Sequence, residues 1–566
     1  MSKVRWPCGC ELPVKSCSDT PMVINVEFGD TLPKGIELDV YSMNLNCEAT
    51  WDMICSGRTK GVFQLESALG RQWAKKLEPR SIEELGALGA LLRPGCLRAM
   101  SGNPPKSMTQ RYCDRKHGVE QVVYPHESLE PILKKTQGVL TFQEQAMKIA
   151  VVLAGFNEQQ ADILRKAIGK KKADVMHEVK KSFLEGAKKT GIVSEELAEE
   201  IFGWIQESQR YSFNKSHADA YALNGYWSAF CKTHMPLEFY CSWLRGAAWK
   251  GAKQYEEIYD LVNDAKVNNI DVLPPTLADK RNTFYIKDKK VYFGLSSIRG
   301  IGSAVIEKIV EKLTDVEKKL GRGIGAWMWL EYLKYGTECV SSNVTEGMIK
   351  AGALDFFERS RNEMLYEYSI WSQLSPTEKK WIVNEYSGYK LIEALKRCQP
   401  KRVMKNKVQV AGGGCVNDKR SNFVGDLITS LKNPPHKLQD SMDWIAWNEQ
   451  KTLGAPITCS RVDALERGIE ANCTCKEFIT TKRKDYMKFA VEVTKVKVVK
   501  TKNGKNPGKE MAFLTLEDNS CSLDDVVCFP DIFQECRDAI YEGNTILVQG
   551  DRGRNDSLVV GQIWQI

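Results

Sequence analysis

Over roughly its last hundred residues the chain changes period, and that change constrains the fold more than anything else in the sequence. Tyr486–Val499, Glu510–Glu517, Asp524–Phe529, Thr545–Gly550 and Leu558–Ile566 read as β-strands joined by short turns. A helix over Pro530–Tyr541 falls between the third and fourth. Five strands with a helix before the fourth predict an OB-type barrel, a common binder of single strands. A barrel that makes only protein contacts has the same pattern. Upstream, from about Gln143 to Ala247, the pattern is helical with few prolines. The expected fold class is multidomain α+β: mainly helical, then a C-terminal all-β barrel.

The 566 residues suffice for about three to five domains. The net charge of +8 suits an acidic partner without proving one. No apolar run reaches the ~18 residues a membrane span needs, so no membrane contact is expected. The N-terminus, MSKVRWPCGC, has no apolar signal core. Eighteen cysteines without a secretion signal read as reduced thiols, and the expected location is cytoplasmic. Cys8, Cys10 and Cys17 cluster near the start and are a candidate Zn²⁺ set, with free thiols as the alternative. Cys473 and Cys475 form a second C-x-C. Neither group has the paired C-x-x-C spacing usual for zinc.

Charge concentrates in DILRKAIGKKKADVMHEVKKSFLEGAKK, Asp162 to Lys189. From Arg165 to Lys189 nine Lys/Arg face three acids, a local charge of +6. Ile163, Leu164, Ala167 and Ile168 fall at helical spacing, so one face can dock while the cations point away. Gly169 is expected to break this helix beside Lys170, Lys171 and Lys172. Fixed cations suit a polyphosphate or a nucleic-acid backbone, although a solvated helix face has the same composition. In RYSFNKSHADAYA, Arg210–Ala222, four polar residues (Asn214, Lys215, Ser216, His217) stand between Phe213 and Tyr221. Donors and aromatic faces that close together suit a nucleotide base and phosphate; a capped helix start explains them as well. LLRPGCL, Leu91–Leu97, is expected to end a helix at Pro94–Gly95 with Arg93 at its edge.

A Pro-rich hinge, Asp271–Lys280, precedes a strand at Val291–Gly294. The turn Ile298–Gly302, I-R-G-I-G, then leads into an amphipathic helix. A Gly-x-Gly turn before a helix points backbone N–H groups at an anion, as helix-hairpin-helix modules do with DNA phosphate. KTKNGKNPGK, Lys500–Lys509, is a basic loop between the first two barrel strands, where OB barrels often grip nucleic acid.

GVFQLES (Gly61–Ser67), LLRPGCL, HESLEPIL (His126–Leu133), TFQEQAMKIA (Thr141–Ala150), ADILRKAIGKKK and FNKSHADAYAL resemble the bacterial replicative DNA polymerase III alpha subunit, a C-family polymerase. VLPP (Val272–Pro275), FGLSSIRGIG (Phe293–Gly302) and GALDF do so too, in the family's order, from about residue 36 onward. The resemblance is to the family's C-terminal half. It implies segment 1–60 as lead-in, fingers over 61–270 and a helix-hairpin-helix region over 271–357. A variable linker and helix over 358–465 and the OB-type barrel over 466–566 follow.

The family's palm carries a D-x-D pair and a third Asp. No D-x-D occurs in these 566 residues. Asp39, in LDVYSMNL, aligns downstream of the third Asp and is not assigned catalysis. No catalytic residue is therefore assigned here, and Mg²⁺ is expected to be held mainly by a palm on a separate N-terminal polymerase chain. Such a split fits a gene interrupted in a phage or mobile element; a fragment of a longer coding sequence fits equally. By resemblance, Arg165 and Lys166 hold the dNTP triphosphate, and Asn214, Lys215, Ser216 and His217 line the nucleotide site with Tyr221 packing beside them. Primer–template DNA is expected at Arg93, Lys170, Lys171, Lys172, Arg299, Gly300, Gly302, Lys500, Lys502 and Lys505. Gln439–Ile445, QDSMDWI, matches a sliding-clamp peptide loosely. The other expectation is a non-catalytic DNA-binding accessory protein that uses the helix-hairpin-helix and OB modules.

Overall fold

The computed structural model of the protein describes residues 2–15, 23–27, 31, 37–98, 100–101, 105–170, 173–208, 212–405, 408–412, 414–465, 470–482, 486–501, 507–553 and 556–566. They form two compact units, Met1–Phe239 and Tyr240–Ile566. Among the described residues no helix is long and apolar enough to cross a membrane.

The first unit opens with a small sheet whose strands are only two to five residues long; the sequence suggests just one of them, a strand at Met22–Glu27, found at Val23–Asn25. Ser2–Arg5 pairs antiparallel with Glu11–Lys15 and parallel with Val23–Asn25, and Glu37–Leu38 adds to the far edge. Val4, Trp6, Leu12 and Val14 point into a core shared with helices Glu48–Cys55, Ile82–Leu91 and Lys215–His234. The last of these lies close on Ile82–Leu91 because Ala218, Ala222 and Gly225 present little bulk. A Cβ on Gly225 would already stand 3.2 Å from the Phe63 carbonyl oxygen.

A second core in this unit joins helices Gln143–Ala154, Glu158–Lys170, Ala173–Thr190 and Glu195–Ser208 through Ile149, Leu164, Phe183 and Phe202. Gly186 permits its closest crossing: a Cβ there would lie 2.1 Å from the Ala154 carbonyl oxygen.

Two sequence expectations are corrected in this unit. Gly169 does not break its helix, which runs on to Lys170. One glycine costs about 1 kcal/mol against alanine, and burial of Leu164, Ala167 and Ile168 outweighs that. Ile163 is not on the docked face but 42% exposed. Pro94 does not end a helix either: Ile82–Leu91 stops before it, and Pro94 opens the short helix Pro94–Arg98, where a missing N–H costs nothing.

In the second unit, Val272–Leu273, Lys290–Tyr292 and Tyr285–Lys287 form a three-stranded sheet. The turn at Ile298–Gly302 follows, with Gly300 at φ +84°, and leads into helix Ser303–Leu320. Ile298 and Ile301 are buried and face Gly347 on helix Ser342–Lys350. Farther on, Arg361 is buried between Asp355 and Glu449, with Arg361 Nη2 2.9 Å from Glu449 Oε1. Glu449 also accepts from the backbone N–H groups of Ile457 and Thr458, so the buried charges are paired.

The C-terminal strands close as expected. Met487–Lys500, Glu510–Glu517, Ser522–Cys528, Leu558–Gln565 and Thr545–Arg552 form a barrel in that order, the last pairing back with the first. This is the OB-type order, with a bulge between Val493 and Lys495 that bends the first strand. The expected helix over Pro530–Tyr541 is shorter: Pro530–Glu535, then a tight turn at Arg537–Ala539.

One barrel carboxylate links stability to pH. Glu517 is 3% exposed and accepts a hydrogen bond from the Tyr259 hydroxyl. Burial pushes its carboxyl up to about 7, with Lys266 and Tyr259 pulling the other way. A raised folded-state value means the contribution is full below the unfolded value near 4.5 and lost as pH rises through about 7. The full chain is expected to lose on the order of 1–3 kcal/mol between about pH 5 and about pH 8 from this group. Glu517→Gln should flatten that part of the profile in thermal unfolding; an unchanged profile would refute the assignment.

Candidate functional site

The helix Lys215–His234 begins beside a pocket. Asn214 is its N-cap, the side-chain oxygen accepting from the His217 N–H at 2.8 Å. The Asn214 amide donates to Glu144 Oε1 at 2.8 Å, and the Lys215 backbone N–H donates to Glu144 Oε2 at 2.9 Å. Just before the cap, Phe213 forms an isolated β-bridge with Phe142: its N–H donates to the Thr141 carbonyl and its carbonyl accepts from the Gln143 N–H. Glu144 starts the helix Gln143–Ala154 of the second core, whereas Lys215–His234 belongs to the first. This carboxylate therefore ties the two cores together, a role invisible in a sequence where Glu144 lies 70 residues from Asn214.

With the helix start fixed, its aromatic residues line up. The Arg93 guanidinium lies 3.8 Å over the Phe213 ring. Phe213 meets His217 edge-on at 5.2 Å, His217 meets Tyr221 at 3.9 Å, and Tyr221 meets Phe63 at 5.2 Å. Phe63, Gln64, Arg93, Phe213, His217 and Tyr221 line a pocket of about 110 Å³. That is below the ~300–1,000 Å³ of pockets that enclose a drug-sized ligand, so it suits one ring or a backbone segment. Gln64 holds a left-handed conformation, φ +66°, which a non-glycine residue rarely adopts and which often marks a functional place. Ser216 and His217 are exposed on the first turn of the helix, where the helix dipole favours an anion, although the Lys215 and His217 N–H groups are already taken by Glu144 and Asn214. Behind them sits Asp219. Burial pushes its carboxyl up, and the Lys215 ammonium 3.9 Å away pulls it down.

Arg93, Asn214, Lys215, Ser216, His217 and Tyr221 are thus brought together. Arg165 and Lys166 stand apart, on the helix Glu158–Lys170 of the second core. Both hold Asp162: Arg165 donates through Nε and Nη2 at 2.9 and 2.8 Å, and Lys166 Nζ lies at 2.7 Å. Those two cations hold the Asp162 carboxyl below its usual range. Lys170 ends that helix, while Lys171 and Lys172 lie outside the described residues.

The remaining positions are on the second unit. Arg299 lays its guanidinium 4.1 Å over the Tyr255 ring, and its backbone N–H donates to Thr452. Gly300 and Gly302 are exposed at the start of Ser303–Leu320. Lys500 is exposed at the end of the first barrel strand; Lys502 and Lys505 lie outside the described residues. On the next strand Phe513 is 42% exposed and stands opposite Lys497 in the strand register, on the barrel surface. Within Gln439–Ile445, Asp440 accepts from the Arg361 and Asn362 N–H groups, and helix Met442–Leu453 begins at Met442, so the segment is part of the fold. Asp39 accepts from the Tyr41 N–H and the Ser42 hydroxyl and serves its own turn.

Cys8 and Cys10 lie with Cys47 and His234; Cys17 lies outside the described residues. This thiol-rich group is not the carboxylate set that Mg²⁺ takes.

Residues 25–191 match the model of the bacterial DNA polymerase III alpha subunit finger domain, and residues 269–364 match that of a helix-hairpin-helix motif. The chain is 30% identical over 518 residues to a DNA polymerase III subunit alpha of Aquifex aeolicus, covering 91% of this chain and 38% of the relative. It is 28% identical over 522 residues to that of Bacillus subtilis (91% and 41%) and 26% identical over 539 residues to that of Staphylococcus aureus (94% and 44%). The chain therefore spans about two fifths of the length of the curated relatives it matches.

Proposed function

We propose that this chain, which matches the C-terminal half of bacterial DNA polymerase III alpha subunits and carries their finger domain, is the DNA- and dNTP-binding part of a replicative DNA-directed DNA polymerase. The palm carboxylates, with the Mg²⁺ they hold, come from a separate N-terminal chain. The observation that carries this reading is the convergence of Arg93, Phe213, His217 and Tyr221 on one pocket at a helix N-terminus, with Arg93 inside the matched finger domain and the other three beyond its last matched residue, 191.

In this reading Arg165 and Lys166 leave Asp162 for the triphosphate, which offers more charge and more acceptor oxygens than one carboxylate. Ser216 and the first turn of Lys215–His234 take a phosphate oxygen, and His217 and Tyr221 offer ring faces to a base. Mg²⁺ held by the palm would supply the Lewis-acid chemistry of phosphoryl transfer. This chain's residues bind, orient and neutralise. The exposed turn at Gly300–Gly302 takes template phosphate, and Lys497, Lys500 and Phe513 take a single strand on the barrel.

Fluorescence anisotropy with labelled primer–template tests the binding half. Affinity should fall steeply with salt, and Lys497→Ala/Lys500→Ala should lower the slope of log Kd against log salt by about 2. A flat salt dependence would contradict DNA binding. Binding that is unaffected by dNTP even with a palm-bearing chain present would favour the accessory-protein reading.

A further inference from the structure

The turn between the first two strands, the start of helix Glu48–Cys55 and the end of helix Lys215–His234 meet at one point. Cys8 and Cys10 lie on the turn, Cys47 is the N-cap of the first helix, and His234 is the last residue of the second. Three sulfur atoms and one imidazole nitrogen all lie within 4.8 Å of one another. Cys47 Sγ is 3.3 Å from His234 Nε2. A tetrahedral ion with Zn–S of about 2.3 Å and Zn–N of about 2.0–2.1 Å sets its ligand atoms roughly 3.5–3.8 Å apart. The four need to close by no more than about 1 Å to share one ion.

We propose that Cys8, Cys10, Cys47 and His234 hold one structural Zn²⁺. Gly9, at φ +79°, lets the turn bring both of its thiols to the same side, with the Trp6 N–H closing on the Cys10 carbonyl at 3.0 Å. Cys10, Cys47 and His234 are buried, while Cys8 is exposed and leaves a path for the metal. The Trp6 and Phe230 rings wall the imidazole at 4.9 and 4.2 Å. Asn44 points its amide at Cys10 Sγ from 3.8 Å, the outer donor a bound thiolate wants. Soft sulfur ligands and a filled set of four select zinc over Mg²⁺ and leave no open position, so the ion is structural rather than catalytic.

The site has a mechanical consequence. Helix Lys215–His234 carries the pocket at its first turn and this cluster at its last residue, 20 residues or about 30 Å away. Zinc would fix the far end of that helix to the sheet at residues 2–15. The assignment stands on geometry alone and does not depend on the polymerase reading.

The test is metal content of the full chain, produced in zinc-supplemented medium and purified without chelator. About one zinc per chain is expected. Replacement by Co²⁺ should give the intense visible bands of tetrahedral thiolate-bound cobalt. Cys8→Ser changes an exposed ligand and should fold, yet hold zinc at least tenfold more weakly against a chelator. Cys339→Ser, in the other unit, should not change zinc retention. A folded wild-type chain with only trace zinc and no cobalt bands would overturn the proposal, as would a disulfide among Cys8, Cys10 and Cys47 found by mass spectrometry.

Discussion

Replacing Arg165 with alanine should cut primer extension by the proposed two-chain polymerase about 10²–10³-fold while primer–template affinity changes little. A guanidinium aimed at a transferring phosphate acts where charge develops, and loss of one such donor costs on the order of 3–4 kcal/mol of transition-state stabilisation. Arg165 is ready for that role. Its side chain is 39% exposed and that of its partner Asp162 37%, so solvent screens the pair and exchange for a triphosphate is easy. Asp162→Asn is the matching control: it frees both cations without removing either, and extension should fall far less than in Arg165→Ala. Single-turnover rates at saturating dNTP distinguish the two. Equal losses in both variants would show that Arg165 serves the helix surface and not the nucleotide.

Glu144→Ala carries the second large effect, about 10–100-fold on extension, through position and not contact. The substitution removes the acceptor for the Asn214 amide and for the Lys215 N–H, so the start of helix Lys215–His234 loses its tie to Gln143–Ala154. The pocket residues Phe213 and His217 flank that tie, and Arg165 stands on the far side of it, in the other core. Glu144→Gln retains an acceptor for one of the two donors and should recover part of the activity. A positioning role raises the KM for dNTP and lowers kcat together. A merely structural loss would lower thermal stability and leave both constants of the folded fraction unchanged.

Much of this arrangement was legible in the residues, and the reason differs by element. The barrel showed because its strands are long and alternate, as in Met487–Val493, where every second side chain is buried. The pocket residues showed because Phe213 to Tyr221 are contiguous in sequence. Most of the N-terminal sheet did not show: beyond the strand expected at Met22–Glu27 and found at Val23–Asn25, strands such as Glu37–Leu38 are too short to carry a period. Glu144, Cys47 and His234 were missed for another reason: each acts across a long loop closure, and no local pattern marks a partner 70 or 187 residues away. The same holds for the buried pair Arg361 and Glu449, 88 residues apart. At Gly169 the local preference was read correctly and the packing of Leu164 and Ile168 overrode it.

In the proposed function this chain supplies nucleotide and DNA binding, and the carboxylates for chemistry come from a separate palm. Primer extension with Mg²⁺ and dNTPs tests it most directly, with the chain alone and then mixed with a chain that bears the palm. The account predicts no extension alone and extension in the mixture, abolished by Arg165→Ala. Extension by the chain alone would contradict it and would place catalytic carboxylates among residues assigned no such role.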